Sequence, residues 1–176
     1  MEQDLFERYL SEKNCKYIKI ALTDSSYNTA RSKGVKKNNP NYEELHKPLP
    51  TNRDLATIGD ALMKLIYARH FYEDEKIDKL SKKIEQYTTD EYLVSVVAKH
   101  YDILKYLRFD KDNKSMKADY KYENRTRTEG KNKKKNPRKY VATAIEAMIG
   151  AIYMEENGNN IKKISDLSTK CWINFN

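Results

Sequence analysis

Two apolar phrases, each built around one acid, constrain this chain more than any other feature. The first reads Ala56-Thr57-Ile58-Gly59-Asp60-Ala61-Leu62 and the second Ala142-Thr143-Ala144-Ile145-Glu146-Ala147-Met148. Apolar residues recur around both at helical spacing, so each phrase predicts a helix with one face in a core. On such helices Asp60 shares a side with Ala56, Lys64 and Tyr67, and Glu146 shares one with Thr143, Gly150 and Tyr153. Each acid therefore flanks a stripe that must face inward. Burying an unpaired carboxylate costs several kcal/mol even after relaxation, whereas five or six buried aliphatic side chains return roughly 1.5–3 kcal/mol each. The fold can carry that cost but gains nothing from it, so a basic side chain or a metal ion is expected to compensate.

The rest of the chain repeats the helical signature. Leu5, Phe6, Tyr9 and Leu10 predict an opening amphipathic helix, continued irregularly by Tyr17, Ile18, Ala21 and Leu22. From Thr23 to Pro50 the pattern dissolves into Asn, Ser, Lys, Gly34 and prolines 40, 48 and 50, which predicts a loop-rich insertion over about 28–50. Thr51 or Asn52 can cap the next helix. That helix is expected to run to about Tyr72, with Leu55, Ile58, Leu62, Leu65, Ile66 and Tyr72 roughly on its core side. Ile77, Leu80, Ile84 and Tyr87 predict a shorter helix, and Thr88 with Glu91 a capping box for its successor. The successor carries Leu93, Val96, Val97, Tyr101, Leu104 and Leu107. Another helix spans about Tyr140 to Glu155, ended by Asn157-Gly158. A last amphipathic segment uses Ile161, Ile164, Leu167, Trp172 and Phe175. No alternating segment is long enough to demand a sheet, so the fold class is all-α.

A length of 176 residues suits a single domain over 1–176. The longest apolar stretch, Ala147 to Met154, is too short to cross a bilayer. The opening Met1-Glu2-Gln3-Asp4 lacks the basic and apolar regions of a signal peptide. Cys15 and Cys171 lie far apart without metal-like spacing, which fits a reduced, cytoplasmic protein. The charge is concentrated. Between Lys111 and Lys139 stand twelve Lys or Arg against four Asp or Glu, a balance of +8 that equals the net charge of the whole chain. A basic loop segment over about 111–139 suits a polyanion, because each neutralised phosphate releases counterions. The plainer reading of such a run is a solvated loop.

Several chemistries are disfavoured. His46, His70 and His100 have no metal-protease spacing, and no glycine-rich phosphate loop, nucleophile elbow or paired-cysteine zinc motif occurs. Two acids in matched phrases, beside a phosphate-seeking segment, point elsewhere. If the two helices pack together, Asp60 and Glu146 can converge on one Mg²⁺, which takes one or two carboxylates and fills its octahedron with water and phosphate oxygens. Metal-bound water is a nucleophile at neutral pH, and the metal stabilises charge on a phosphodiester. Gly59 and Gly150 would permit close helix contact. The alternative is a pair of ordinary exposed or salt-bridged helix acids.

Several motifs resemble ribonuclease III. Ala21-Leu22-Thr23-Asp24-Ser25-Ser26-Tyr27 is similar to the family's Ala-Leu-Thr-His-Ser-Ser-Tyr, and Asn52 to Leu62 is similar to Asn-Glu-Arg-Leu-Glu-Phe-Leu-Gly-Asp-Ala. The likeness continues through Leu80-Ser81 to Leu93, and through Ala144 to Tyr153, where the family reads Ala-Leu-Glu-Ala-Leu-Ile-Gly-Ala-Ile-Tyr. The full-length family has four acids per site, and two are absent here, since Ala56 and Thr143 stand where it has Glu and Asp. Alone, that loss suggests a disabled enzyme. The compact Mini-III subgroup has the same reduced pattern, Ala-x-x-Gly-Asp-Ala with Thr-Ala-Phe-Glu-Ala, and its members are magnesium-dependent nucleases. Arg125-Thr126-Arg127-Thr128 is similar to its Arg-Gly-Arg-Asn stretch and departs at the final Thr.

The resemblance implies an all-helical endonuclease domain that dimerises and cuts double-stranded RNA, one site per subunit along a shared valley. Asp60 and Glu146 would be both the catalytic and the metal-binding residues, holding Mg²⁺ with Mn²⁺ as a substitute. Thr143 would orient a metal-bound water, or simply bond its own backbone. No double-stranded-RNA-binding domain is expected after Glu155, so affinity would come from the nuclease domain itself. Lys121, Arg125, Arg127, Lys131, Lys133, Lys134 and Lys135 would position phosphates, which suits A-form RNA recognised by shape, phosphates and 2′-hydroxyls. The leading expectation is a Mg²⁺-dependent endoribonuclease of RNA processing, working as a homodimer on double-stranded or structured RNA. The alternatives are a catalytically inactive RNA-binding module of a ribonucleoprotein, and a helical adaptor whose acids form salt bridges.

Overall fold

The computed structural model describes residues 4–12, 15–112, 139–159 and 161–175. Its α-helices in chain order are α1 (Leu5–Ser11), α2 (Lys16–Ala21), α3 (Ser26–Ser32), α4 (Tyr42–His46), α5 (Arg53–Phe71), α6 (Ile77–Thr88), α7 (Asp90–Tyr92), α8 (Lys99–Tyr101), α9 (Lys139–Glu155) and α10 (Ile161–Asp166). A π-helical stretch, Leu93–Ala98, joins α7 to α8. Among the described residues no strand forms, and a lone parallel bridge pairs Thr23 with Arg108. The all-α class follows from the apolar spacing. No described helix is long and apolar enough to cross a membrane.

Helix α9 is the centre because most of its circumference is apolar. Ala142, Ala144, Ile145, Ala147, Met148, Ile149, Ala151 and Ile152 have no exposed surface, the condition of a helix enclosed by others. Its main neighbour is α5, with α2 and the π-helical stretch against other sides. The left-handed backbone of Asn157 and Gly158 ends this region as expected, and the Gly158 N–H donates to the Tyr153 carbonyl at 2.9 Å. Across the core, the Tyr92 hydroxyl donates to the Trp172 carbonyl at 2.6 Å, and Trp172 Nε1 donates to the Tyr101 hydroxyl at 3.2 Å. These bonds tie residues 92–101 to the C-terminal turn.

Helix α5 is amphipathic, but its inward face differs from the expected one. Leu55, Ala56, Gly59, Met63, Ile66, Tyr67 and Phe71 are buried. Leu65 is 59% exposed and Tyr72 70% exposed, whereas both were expected on the core side. The reason is that small residues, Ala56 and Gly59, face α9 and rotate the larger ones outward. Ile58 and Leu62 lie half-buried at the edge.

Two caps also differ. Thr89, not Thr88, starts the helix after α6, its hydroxyl accepting from the Tyr92 N–H at 3.1 Å. Thr88 stays inside α6 and bonds back to the Ile84 carbonyl at 3.1 Å. Asn52 holds the cap position of α5, yet its side chain caps nothing.

The loop-rich 28–50 region contains most of α3 and all of α4. Side chains supply the backbone partners that its pattern does not advertise. The Asn28 amide both donates to the Leu49 carbonyl and accepts from the Leu49 N–H, at 3.0 and 2.9 Å. The Arg31 guanidinium donates to the carbonyls of Glu44 and Lys47.

The segment Leu22–Tyr27 works as a strap. The Arg108 N–H donates to the Leu22 carbonyl at 2.8 Å, and the Asp24 N–H to the Arg108 carbonyl at 2.9 Å. The Arg108 guanidinium donates to the Lys19 carbonyl and to the Thr23 hydroxyl. On the strap's other side, the Asn52 N–H donates to the Thr23 carbonyl at 2.9 Å. The point where the chain leaves for residues 113–138 is thereby anchored to the start of α5.

Candidate active site

The site is set by how closely α5 and α9 cross. A Cβ added to Gly59 would lie 1.7 Å from the Glu146 carbonyl oxygen, and one added to Gly150 would lie 2.2 Å from the Leu55 carbonyl oxygen. No side chain fits at either place, so each glycine receives the other helix's backbone. Asp60 follows Gly59 directly, and Glu146 is itself the residue seated on Gly59. The two acid-centred phrases therefore meet at one crossing.

The acids live in different surroundings there. The Asp60 side chain is 34% exposed, and Lys64 Nζ, one turn further along α5, donates to its Oδ2 at 2.7 Å. Glu146 makes no hydrogen bond or ion pair among the described residues. Burial first, then the negative charge of Asp60, then that of Asp90, push its carboxyl up to about 7. The positive charges of Lys139 and Lys64 oppose that rise. Desolvation disfavours a carboxylate, and a nearby like charge disfavours it further.

Asp90 is the member of this cluster that sequence reasoning missed. It opens α7, which packs against α9, directly after the capping Thr89. A cap assigned to Thr89 would have put an acid in the first helical turn, but nothing in the pattern aims that turn at Glu146.

Thr143 lies half-buried one turn before Glu146, and Ala56 is buried one turn before Asp60. No group of three or more His, Cys, Asp or Glu suited to a metal occurs among the described residues. The two candidate donors at the crossing are the carboxylates of Asp60 and Glu146, the second destabilised by burial and by the charge of the first. This fits Mg²⁺, which takes one or two carboxylates and otherwise water or phosphate oxygens. The expected phosphate-positioning residues, Lys121, Arg125, Arg127, Lys131, Lys133, Lys134 and Lys135, lie outside the described residues. Their segment rejoins the fold at Lys139, seven residues before Glu146, which is about 10 Å along a helix.

Residues 53–157 match the Ribonuclease III domain, and that range takes in both acids and more than half of the chain. Over 165 residues the chain is 27% identical to "Ribonuclease 3" of Onion yellows phytoplasma (strain OY-M), covering 92% of this chain and 56% of that protein. The chain thus spans little more than half the length of this curated relative. No solved structure matches. With the domain match centred on the helix pair that carries Asp60 and Glu146, this chain belongs to the ribonuclease III domain family.

Proposed function

We propose that the protein is a Mg²⁺-dependent endoribonuclease of the ribonuclease III type, hydrolysing phosphodiester bonds in double-stranded or structured RNA during RNA processing. The observation that carries this reading is the meeting of Asp60 and Glu146 at a glycine-lined crossing, where Asp60 and burial oppose the ionisation of Glu146. Two carboxylates are held together at an electrostatic cost, and a divalent cation would turn their repulsion into shared attraction. Bound Mg²⁺ would supply a water nucleophile at neutral pH and stabilise charge on the phosphodiester. Asp60 and Glu146 hold the ion, directly or through water, and no histidine base is needed. Lys121, Arg125, Arg127, Lys131, Lys133, Lys134 and Lys135 are the residues proposed to bind the RNA phosphates. The pairing of Ala56 and Thr143 with only two acids makes this a Mini-III-like site. Manganese is expected to substitute for magnesium, and the cytoplasm is the expected setting.

A homodimer is part of the proposal. Leu65 on α5 and Tyr72 at its C-terminal cap are exposed, with Ile58 and Leu62 half-buried nearby. An apolar strip of this kind, left open within one subunit, suits burial against a second copy. Leu65→Glu is expected to shift the protein from dimer to monomer in sedimentation, with a helical circular-dichroism spectrum retained. A monomeric wild-type protein would sink this part.

The activity test uses purified protein, duplex RNA, and Mg²⁺ or chelator. Wild type is expected to cleave only with Mg²⁺. Asp60→Asn and Glu146→Gln are expected to lose roughly a thousandfold in rate, about 4 kcal/mol of barrier, while still binding RNA. The second reading, an RNA-binding module without catalysis, is favoured by the absence of the family's other two acids. It wins if wild type binds duplex RNA and no divalent cation elicits cutting.

A further inference from the structure

Lys64 belongs to neither acid-centred phrase, yet it sits inside their charge cluster. Its ammonium is 2.7 Å from Asp60 Oδ2. Its charge also reaches Glu146 across the crossing, where it acts against the effects of burial and of Asp60. The contact is not locked in place. The Lys64 side chain is 55% exposed and that of Asp60 34%, so the ammonium can leave on its flexible four-carbon stem without opening the core.

We infer that Lys64 is a positioning residue that occupies the acid pair in the metal-free protein, so that a divalent cation must displace it from Asp60 in order to bind. This rests on the proposed role of Asp60 and Glu146 as metal ligands. With both acids ionised, the pair and Lys64 together carry one negative charge; without the lysine they carry two. Lys64 donates to Oδ2, one of the two oxygens through which Asp60 could hold a cation. Metal affinity is therefore set in part by a residue that never touches the metal. The displaced ammonium stays at the site's edge, where an RNA phosphate is a ready acceptor.

The test measures Mn²⁺ binding to the full chain without RNA, by calorimetry or water-proton relaxation, in wild type, Lys64→Gln and Lys64→Arg. Thermal midpoints in chelator check that all three are folded to the same extent. Lys64→Gln is expected to bind Mn²⁺ roughly three- to tenfold tighter, the scale set by loss of an exposed ion pair and of one nearby positive charge. Lys64→Arg, which keeps the charge, is expected to match wild type. Adding Glu146→Gln to Lys64→Gln is expected to abolish the gain. The inference is overturned by equal affinity in wild type and Lys64→Gln, by undetectable binding in both, or by equal tightening in Lys64→Arg. If wild type nonetheless cleaves duplex RNA with Mg²⁺, the nuclease reading survives that result. Tight Mn²⁺ binding retained in the double variant overturns both, because the metal then sits elsewhere.

Discussion

Asp60 and Glu146 occupy matched places in matched phrases, and the fold treats them in opposite ways. Four residues after Asp60 comes Lys64, which pairs with it at 2.7 Å. Four residues after Glu146 comes Gly150, where any Cβ would strike the Leu55 carbonyl at 2.2 Å. The close crossing that brings the acids together thus removes one position, four residues on, from which α9 could offer Glu146 a basic partner. Helix α5, amphipathic and open on one side, can neutralise its acid locally. Helix α9, covered on most of its sides, leaves its acid largely desolvated, with a carboxyl pushed up to about 7. Proximity and compensation compete here. The uncompensated member is the one that an external cation would relieve most.

The largest test breaks the crossing itself. Gly59→Ala drives a methyl group against the backbone of Glu146, which cannot rotate away as a side chain could. Overpacking commonly costs 1–3 kcal/mol, so a backbone clash of this depth is expected to cost about 3 kcal/mol or more. Denaturant unfolding monitored by circular dichroism would measure it. Gly150→Ala, with slightly more room, is expected to cost less. If Gly59→Ala is lost in the noise of that measurement, the helices are not held at backbone contact and the account of Glu146 fails with it.

A smaller effect has the opposite sign. The folded state holds the Glu146 proton up to about 7, whereas the free side chain releases it at 4.5. Between those values the folded protein binds more protons than the unfolded chain. This group's contribution to stability must therefore fall as pH rises through the window, and level off above it. Allowing for its partial exposure, the loss is on the order of 2 kcal/mol. Glu146→Gln carries no such charge. It is expected to be more stable than wild type at pH 8 by about that amount, and nearly equal to it at pH 4. Thermal or denaturant midpoints at the two pH values, in chelator, decide the matter. The variant that destroys the proposed activity would then stabilise the fold, as expected of an acid kept for chemistry rather than for packing. A variant equally stable or weaker at pH 8 would mean that Glu146 has a partner in the folded chain.

The same two helices show how much of the molecule is written locally. Helix α9 was expected over about Tyr140 to Glu155 and runs Lys139–Glu155. Its unbroken apolar character and its glycine stop are properties of the chain alone. Both candidate acids were legible for the same reason, as charges in places where charges are costly. The inward face of α5 was not. Ala56 and Gly59 carry little hydrophobic signal, and only the approach of another backbone makes them the buried side, turning Leu65 and Tyr72 outward. Asp90 was illegible for a related reason, since its effect on Glu146 exists only once α7 packs against α9. In the 28–50 region, Asn28 and Arg31 build local structure through bonds to residues far along the chain, which no periodicity records.

The smallest effect separates the two acids that act on Glu146. Asp60 is the stronger influence and Asp90 the weaker, while burial outweighs both. In chelator, a carbon-13 titration of the Glu146 carboxyl is expected to move downward in Asp60→Asn. The neighbouring negative charge is removed, and Lys64 is released to face Glu146 instead. Asp90→Asn is expected to lower it too, but by less, because its charge acts on Glu146 more weakly than that of Asp60. Neither variant should bring Glu146 back to the ordinary carboxylate range, since desolvation persists in both. A larger response to Asp90→Asn would reverse the ranking. The close pair would then be Glu146 with Asp90, any metal would be drawn toward the start of α7, and Asp60 with its lysine would be an ordinary surface ion pair.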